Sequence, residues 1–153
     1  MTAPGTLSSV GYDYPITRSG NDSVVIRGGM MGKDIEINWL PEPEEKNYPA
    51  AESYLGLLYD DKTVKDIVSR LKFAPVSQFK AKDIFRASGL SLLGVSNSHV
   101  ERDRDKIEDG KPLSPILLLR DKRNSKVIIA DGYHRMCAVY SYNEDELIPC
   151  KIV

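Results

Sequence analysis

Two short apolar runs near the end of the chain constrain its fold more than any other feature. The runs are SPILLL at residues 114–119 and KVIIA at residues 126–130, and the polar turn DKRNS separates them. Runs of this length, bounded by a turn, are typical of two buried strands. The pattern then changes, because Met136, Val139 and Tyr140 keep the spacing of an amphipathic helix. The sequence therefore predicts a buried strand pair that leads directly into a helix.

The segment DGYHRMC joins the second of these strands to the helix. Asp131 falls at the N-cap position, where its carboxylate can accept hydrogen bonds from the amides of Tyr133 or His134. Gly132 allows another group to approach the backbone, and the free amides and dipole of the helix start favour an anion. Arg135 adds a planar fork of donors that matches phosphate or carboxylate oxygens. Together these residues are the parts of a phosphate site.

Three side chains of this segment bring specific chemistry. His134 can change its charge near neutral pH, so it can donate a proton to a leaving oxygen or hydrogen-bond a phosphate. Tyr133 offers a ring on which a base or a ribose can rest. Asp131 can help to hold a divalent cation such as magnesium. Taken singly, each residue could instead belong to an ordinary capped helix start with a solvated polar face. The spacing of the residues does not identify a reaction.

Other candidate residues carry less weight. We interpret Cys137 as a small core residue, not as a nucleophile. His99 falls in the first turn of an expected helix and is a weaker site candidate, with an exposed or capping histidine as the alternative. The alternating charges of RDRDK, residues 102–106, predict a solvated helix face.

Charge and cysteine content exclude several classes of protein. With 21 Lys+Arg against 22 Asp+Glu, the chain has no overall positive field with which to bind nucleic acid. The chain has 2 cysteines and 2 histidines and no CxxC pair, too few ligands for a zinc site of the usual spacing. A signal-peptide pattern and a membrane-length apolar run are both missing, so we expect a cytoplasmic protein without membrane contact.

The first part of the chain predicts less regular structure. Residues 1–22 are rich in Gly, Ser, Thr and Pro and predict a flexible arm, after which residues 23–153 predict a single domain. Within that domain, residues 24–27 and 34–39 have strand character around a glycine-rich tract. We therefore expect a small hairpin at the start of the domain.

Helices are expected to follow this hairpin. The Asp60–Asp61 pair offers an N-cap for a helix that Ala74–Pro75 should end. Ser98 and Glu101 have the spacing of a capping box, so another helix is expected from Ser98 to about Glu108, with Gly110 after it. Pro149 cannot donate to a ladder, which predicts that the last strand is at a sheet edge. The remaining expected elements are a helix with Pro49 in its first turn, a helix at 81–88 and strands at 90–95 and 147–153.

The C-terminal half resembles a known superfamily. The order GKPLSPILLL, polar turn, VIIADGYHRMCA and IPCKIV is similar to the ParB/sulfiredoxin superfamily, especially its small ParB-like branch with a D-G-x-H-R signature. The resemblance covers roughly residues 95–153. It implies an α+β fold, a compact mixed sheet with flanking helices, here with a helical N-terminal extension. The core of the domain is then residues 90–153, while residues 23–89 have no assigned family.

The resemblance implies that the DGYHR turn binds the phosphates of a nucleotide. Carried over to this chain, the nucleotide-binding residues are Gly132, Tyr133, His134 and Arg135. The catalytic candidates are His134 as acid, Asp131 as catalytic or magnesium-holding carboxylate, and Glu101 as the second carboxylate. By analogy with the fold, Asp103 is the other candidate for the base, and a capping or surface role is the alternative for both Glu101 and Asp103. The implied cofactor is ATP, ADP or CTP, with magnesium.

Members of the superfamily differ in activity. Partitioning proteins carry an arginine-rich version of the motif, and sulfiredoxin has its reactive cysteine where Tyr133 stands, so both of these activities are disfavoured. The resemblance favours the nuclease, nucleotide hydrolase or small-molecule kinase branch. The alternative is a non-catalytic module that senses a nucleotide, associates with DNA or binds a partner. Whether the protein is an enzyme, and whether it pairs with itself or with another protein, is left open.

Overall fold

A computed structural model describes residues 16–18, 24–26, 35–94 and 96–153. The chain divides into two units, residues 1–36 and 37–153. In the first unit β1 (Ile16–Arg18) pairs with β2 (Val24–Ile26) in an antiparallel ladder. The expected hairpin between residues 24–27 and 34–39 is therefore wrong, because residues 24–26 pair with the preceding strand and residues 35–38 adopt no strand. The glycine-rich tract and most of the expected arm lie outside the described residues.

The second unit is built around a four-stranded mixed sheet. Its strands are β3 (Val76–Lys80), β4 (Ile116–Asp121), β5 (Lys126–Asp131) and β6 (Leu147–Ile152), in the order β3-β6-β4-β5. β6 runs antiparallel to β3 and parallel to β4, and β4 runs antiparallel to β5. The two apolar runs therefore form the expected pair of adjacent strands.

Five helices occur in the part of the chain that the structure describes. They are α1 (Asn47–Leu55), α2 (Asp61–Phe73), α3 (Ala81–Ser88), α4 (Ser98–Glu108) and α5 (Tyr133–Tyr142). Asp60 caps α2 as expected, since its Oδ1 accepts from the Thr63 amide at 2.8 Å. Helices and a mixed sheet together confirm the α+β class. None of the described helices is long and apolar enough to cross a membrane.

Strand β4 is buried on both faces and lies at the centre of the core. Successive strand residues point to opposite faces, and Ile116, Leu117, Leu118 and Leu119 are all buried. Leu117 and Leu119 pack in a cluster whose other members are Tyr48, Ala51, Leu55, Val64, Ile67, Val68, Leu71 and Ala130. Full burial of a Leu or Ile side chain stabilises the fold by about 1.5–3 kcal/mol. The continuous apolar run therefore reflects burial on two faces.

The last strand is interior, so the expected edge position is wrong. β6 lies between β3 and β4. Pro149 is opposite Gln78 of β3, and the parallel ladder with β4 begins one residue later, at Cys150. The proline is therefore outside the ladder with β4, where its missing amide hydrogen is not needed. The expected strand at residues 90–95 is also wrong, because residues 90–94 adopt no strand.

Candidate functional site

A cavity of about 160 Å³ opens where the start of α5 faces α4. The β5–α5 junction lines it with Asp131, Gly132, Tyr133, His134 and Arg135. Helix α4 lines it with His99, Arg102, Asp103 and Lys106. Counted from His99, the other three α4 positions are i+3, i+4 and i+7, so all four share one face of the helix. The structure thus brings the whole DGYHR segment together with a polar stripe of α4.

Gly132 makes the turn from β5 into α5. Its φ of 112° is in a region that residues with a side chain rarely adopt. A Cβ at this position would lie 2.2 Å from Cγ2 of Ile116. Both the backbone angle and the packing therefore require glycine. Gly132 is also the N-cap of α5, without a side-chain cap, so the expected N-cap role of Asp131 is wrong.

Asp131 forms an ion pair with Arg135 instead of capping the helix. Its Oδ2 accepts from Nη2 of Arg135 at 3.0 Å, and the two side chains are only 17% and 16% exposed. The same Nη2 donates to the Pro115 carbonyl at 3.3 Å, while Nε of Arg135 is buried without a hydrogen-bond partner. The carboxylate and the carbonyl therefore fix the direction of the guanidinium.

The described residues contain no metal site with three or more protein ligands, because no such group of His, Cys, Asp and Glu side chains could hold a metal ion. Asp131, the expected magnesium ligand, is paired with Arg135. Magnesium sites often use one or two carboxylates plus substrate phosphates. A magnesium ion at Asp131 therefore stays a prediction from the sequence.

Two histidines meet across the cavity. The ring centroids of His99 and His134 are 4.9 Å apart, and those of Tyr133 and His134 are 5.6 Å apart. Burial lowers the pKa of His134, and the charge of His99 lowers it further, whereas Asp103 raises it. His134 is therefore a neutral ring near pH 7. The hydroxyl of Tyr133 donates to the backbone carbonyl of Ser91.

The carboxylates of α4 differ in position. Helix α4 begins at Ser98, as expected, but its N-cap is Asn97, whose Oδ1 accepts from the His99 amide at 3.0 Å. Glu101 is exposed and is not part of the cavity lining. Asp103 lines the cavity with a side chain that is only 13% exposed. The structure therefore places Asp103, not Glu101, beside the DGYHR segment.

Arg102 and Lys106 are the lining residues that sequence reasoning missed. The RDRDK stretch was interpreted as a solvated face because its charges alternate along the chain. Helical spacing gives the better signal: positions 99, 102, 103 and 106 follow the i, i+3, i+4, i+7 pattern of one helix face. That stripe is polar, so a search for apolar faces does not find it.

The two cysteines are core residues, as expected for Cys137. Both are buried and free, and neither lines the cavity. Burial raises the pKa of the Cys137 thiol and raises that of Cys150 to about 12. A nucleophilic cysteine needs an accessible thiolate, so neither residue suits nucleophilic chemistry.

Comparison of the chain with protein-family models, with curated proteins and with solved structures finds no match. The resemblance to the ParB/sulfiredoxin superfamily therefore stays a prediction from the sequence. Function is inferred from the chemistry of the cavity, whose lining combines cations, histidines and carboxylates.

Proposed function

We propose that the cavity between α4 and α5 binds the phosphate groups of a nucleotide, and that the protein is a ParB-like phosphoryl-transfer enzyme. The resemblance in residues 95–153 and the cationic lining support this proposal. A nucleotide hydrolase, a nuclease and a small-molecule kinase all need such a site. Each must hold phosphate oxygens while a P–O bond breaks.

One observation carries the proposal: the cavity lining is positively charged although the chain is not. Arg102, Lys106 and Arg135 face two carboxylates, Asp103 and Asp131, which leaves one net positive charge before the histidines are counted. The whole chain has a formal net charge of −1. Of the two carboxylates, Asp131 is already paired with Arg135. An anion is therefore the ligand that the cavity favours.

The cations of the lining divide into fixed and movable donors. Arg135 is held by Asp131 and by the Pro115 carbonyl, so its guanidinium is oriented before a ligand arrives. Lys106 is 45% exposed and can turn toward a phosphate. The first amides of α5 have no intrahelical partner and add donors at the positive end of the helix dipole. Together these donors can bind several oxygens of one phosphate chain.

His134 suits the role of a hydrogen-bond donor to phosphate. Burial, the charge of His99 and that of Arg135 lower its pKa, and a neutral imidazole still donates one N–H. A phosphate bound beside the ring raises this pKa again, because a nearby anion favours the charged form. The ring then becomes a proton donor when the site is filled.

The volume of the cavity limits how much of a ligand it encloses. Pockets that enclose a drug-sized molecule have about 300–1,000 Å³, and this cavity has about 160 Å³. We therefore place the phosphates inside the cavity and the nucleoside at its rim. Tyr133 lines the cavity and offers a ring against which a ribose or a base can pack.

A second candidate is a non-catalytic module that senses a nucleotide. The exposed position of Glu101 outside the lining favours it, because the carboxylate expected to act as a base is not at the cavity. Binding and turnover distinguish the two candidates. A sensor binds the nucleotide and leaves it intact.

A thermal-shift panel tests the phosphate site. We expect at least one of ATP, ADP and CTP, with or without magnesium, to stabilise the wild-type protein by about 2.7 kcal/mol at one hundred times its Kd. Lys106→Gln should weaken binding about tenfold through the loss of a charged donor. Lys111→Gln is the matched control, since Lys111 is exposed and outside the lining.

Two results would contradict the phosphate site. One is a wild-type protein that no nucleotide stabilises. The other is a Lys106→Gln variant that binds as tightly as Lys111→Gln. Where binding occurs, chromatography of the nucleotide after incubation with alcohol or nucleic-acid acceptors separates an enzyme from a sensor.

A further inference from the structure

Asp103 is a largely buried carboxylate that faces the cavity. Its side chain is 13% exposed and lines the cavity. Its ion pair with Lys106 is long, because 4.0 Å separate Oδ1 of Asp103 from Nζ of Lys106. Asp131, in contrast, accepts a hydrogen bond of 3.0 Å from Arg135. Asp103 therefore has accepting capacity left beside the space that a ligand would fill.

The other carboxylates near the cavity are less suited to accept a proton. Asp131 is occupied by the guanidinium of Arg135. Glu101 is exposed and outside the lining. Asp105 is exposed on another part of α4 and is also outside the lining. Asp103 is the carboxylate of the lining that remains available.

The surroundings of Asp103 set its basicity. Burial raises the pKa of its carboxyl above the ordinary value. The cations Lys106, Arg135 and Arg102, together with His134, lower it in part. A carboxyl whose pKa is raised in this way is a better proton acceptor, when ionised, than an exposed one.

We propose that Asp103 is the catalytic base of the phosphoryl transfer, a role that rests on the proposed function. The oxygen of an attacking hydroxyl, from water or an alcohol, forms a new P–O bond to the terminal phosphorus. Asp103 takes the proton of that hydroxyl. The bond from phosphorus to the bridging oxygen breaks, and its electron pair stays on the leaving phosphate, which Arg135 and Lys106 stabilise. The proton on Asp103 passes to solvent after the products leave.

This assignment predicts that binding and turnover respond differently to one substitution. Asp103→Asn keeps the shape of the side chain and removes the base, so kcat should fall by about 100-fold to 10,000-fold. Nucleotide binding should stay equal or become tighter, because a negative charge beside the phosphates has been removed. Asp105→Asn removes the same charge from an exposed position on α4 and should change neither quantity. Asp103→Glu should restore part of the activity.

The pH dependence of turnover distinguishes a catalytic role of Asp103 from a structural one. Turnover by the wild type should fall at acid pH, with a midpoint above the ordinary aspartate pKa of about 3.9. This fall at acid pH should be absent from the residual turnover of Asp103→Asn. Melting temperatures of the variants, measured with and without nucleotide, show whether each is folded.

The outcomes separate this inference from the proposed function. If the wild type binds no nucleotide, the proposed function fails and the role of Asp103 fails with it. If the wild type binds a nucleotide but transfers no phosphoryl group, the site is a sensor and Asp103 is not a base. If it turns over and folded Asp103→Asn turns over at the same rate, the phosphate site stands and the assignment of Asp103 is overturned.

Discussion

His99 and His134 belong to different helices, yet their ring centroids are 4.9 Å apart. A charged ring at His99 makes it harder to protonate His134, since like charges repel at short range. Together with burial, this repulsion lowers the pKa of His134. The pair therefore links the charge of the cavity to pH.

The first prediction concerns stability at mildly acid pH. Because the pKa of His134 is lower in the folded protein than the ordinary value of about 6.5, the unfolded chain binds a proton first as the pH falls. This contribution to stability is complete above about pH 6.5 and is lost as the pH falls toward the folded-state value. We expect His134→Gln to flatten the fall, measured by urea unfolding at a series of pH values.

Asp103 changes the dependence of stability on pH in the opposite direction. Burial raises the pKa of its carboxyl, so its contribution to stability decreases as the pH rises from the ordinary aspartate value. The effect of His134→Gln should therefore be measured between two proteins that both carry Asp103→Asn, so that they differ only at residue 134. An equal slope with and without His134 in that background would rule out a proton-linked role for the ring.

Gly132→Ala should be strongly destabilising. The positive φ costs about 1–3 kcal/mol, and a Cβ only 2.2 Å from Ile116 Cγ2 adds an overpacking cost of about 1–3 kcal/mol. Gly110→Ala is the matched control, with a φ of 73° but open space around a new Cβ. It should lose only about 1–2 kcal/mol. Equal losses in chemical denaturation would show that Ile116 is not the obstacle.

Asp131→Asn should cost more stability than the loss of a surface ion pair. It leaves the largely buried Arg135 without its charged partner, which costs about 1–3 kcal/mol. Asp66→Asn removes another pair of the same spacing, with Arg70, but those side chains are 66% and 53% exposed. Asp66→Asn should lower the free energy of unfolding by only about 0.3–0.5 kcal/mol. Similar urea midpoints for the two variants would contradict a structural role for the Asp131–Arg135 pair.

The cysteines should be protected from thiol reagents in the folded protein. Thiolate is the reactive form, and burial raises the pKa of Cys150 from 9.0 to about 12. We expect native Cys150 to react at least roughly a hundredfold more slowly than in urea at about pH 8. Cys137 should also be protected, since it is buried and burial raises its pKa. Rapid labelling of Cys137 in the native state would instead indicate an accessible thiol beside His134.

The sequence predicted local structure best where one interaction decides it. Asp60 caps α2 because a single side chain satisfies a single amide. Helix α3 has the expected bounds, residues 81–88, and it ends before Gly89, whose φ of 67° few other residues adopt. The β4 and β5 runs were found because burial on two faces leaves a continuous apolar signature.

Features that depend on distant parts of the chain could not be predicted. The interior position of β6 arises from its pairing with β3, whose residues VSQFK carry no clear alternation. The α4 stripe becomes a lining because α5 packs opposite it. From the local sequence, Asp131 can either cap α5 or pair with Arg135. The structure has the pair with Arg135, next to the close packing of Gly132 against Ile116.

The position of β6 between β3 and β4 also sets an order for assembly during synthesis. The ladder joins Val76 to Lys151 and Ile116 to Cys150, so β3 has no partner in the sheet until residues 147–152 have left the ribosome. The hairpin of β4 and β5 can form earlier, because its strands are neighbours in sequence. Contacts so far apart along the chain close slowly. β3 therefore gains its place in the sheet only when β6 is available, and β6 then joins β3 to the hairpin of β4 and β5.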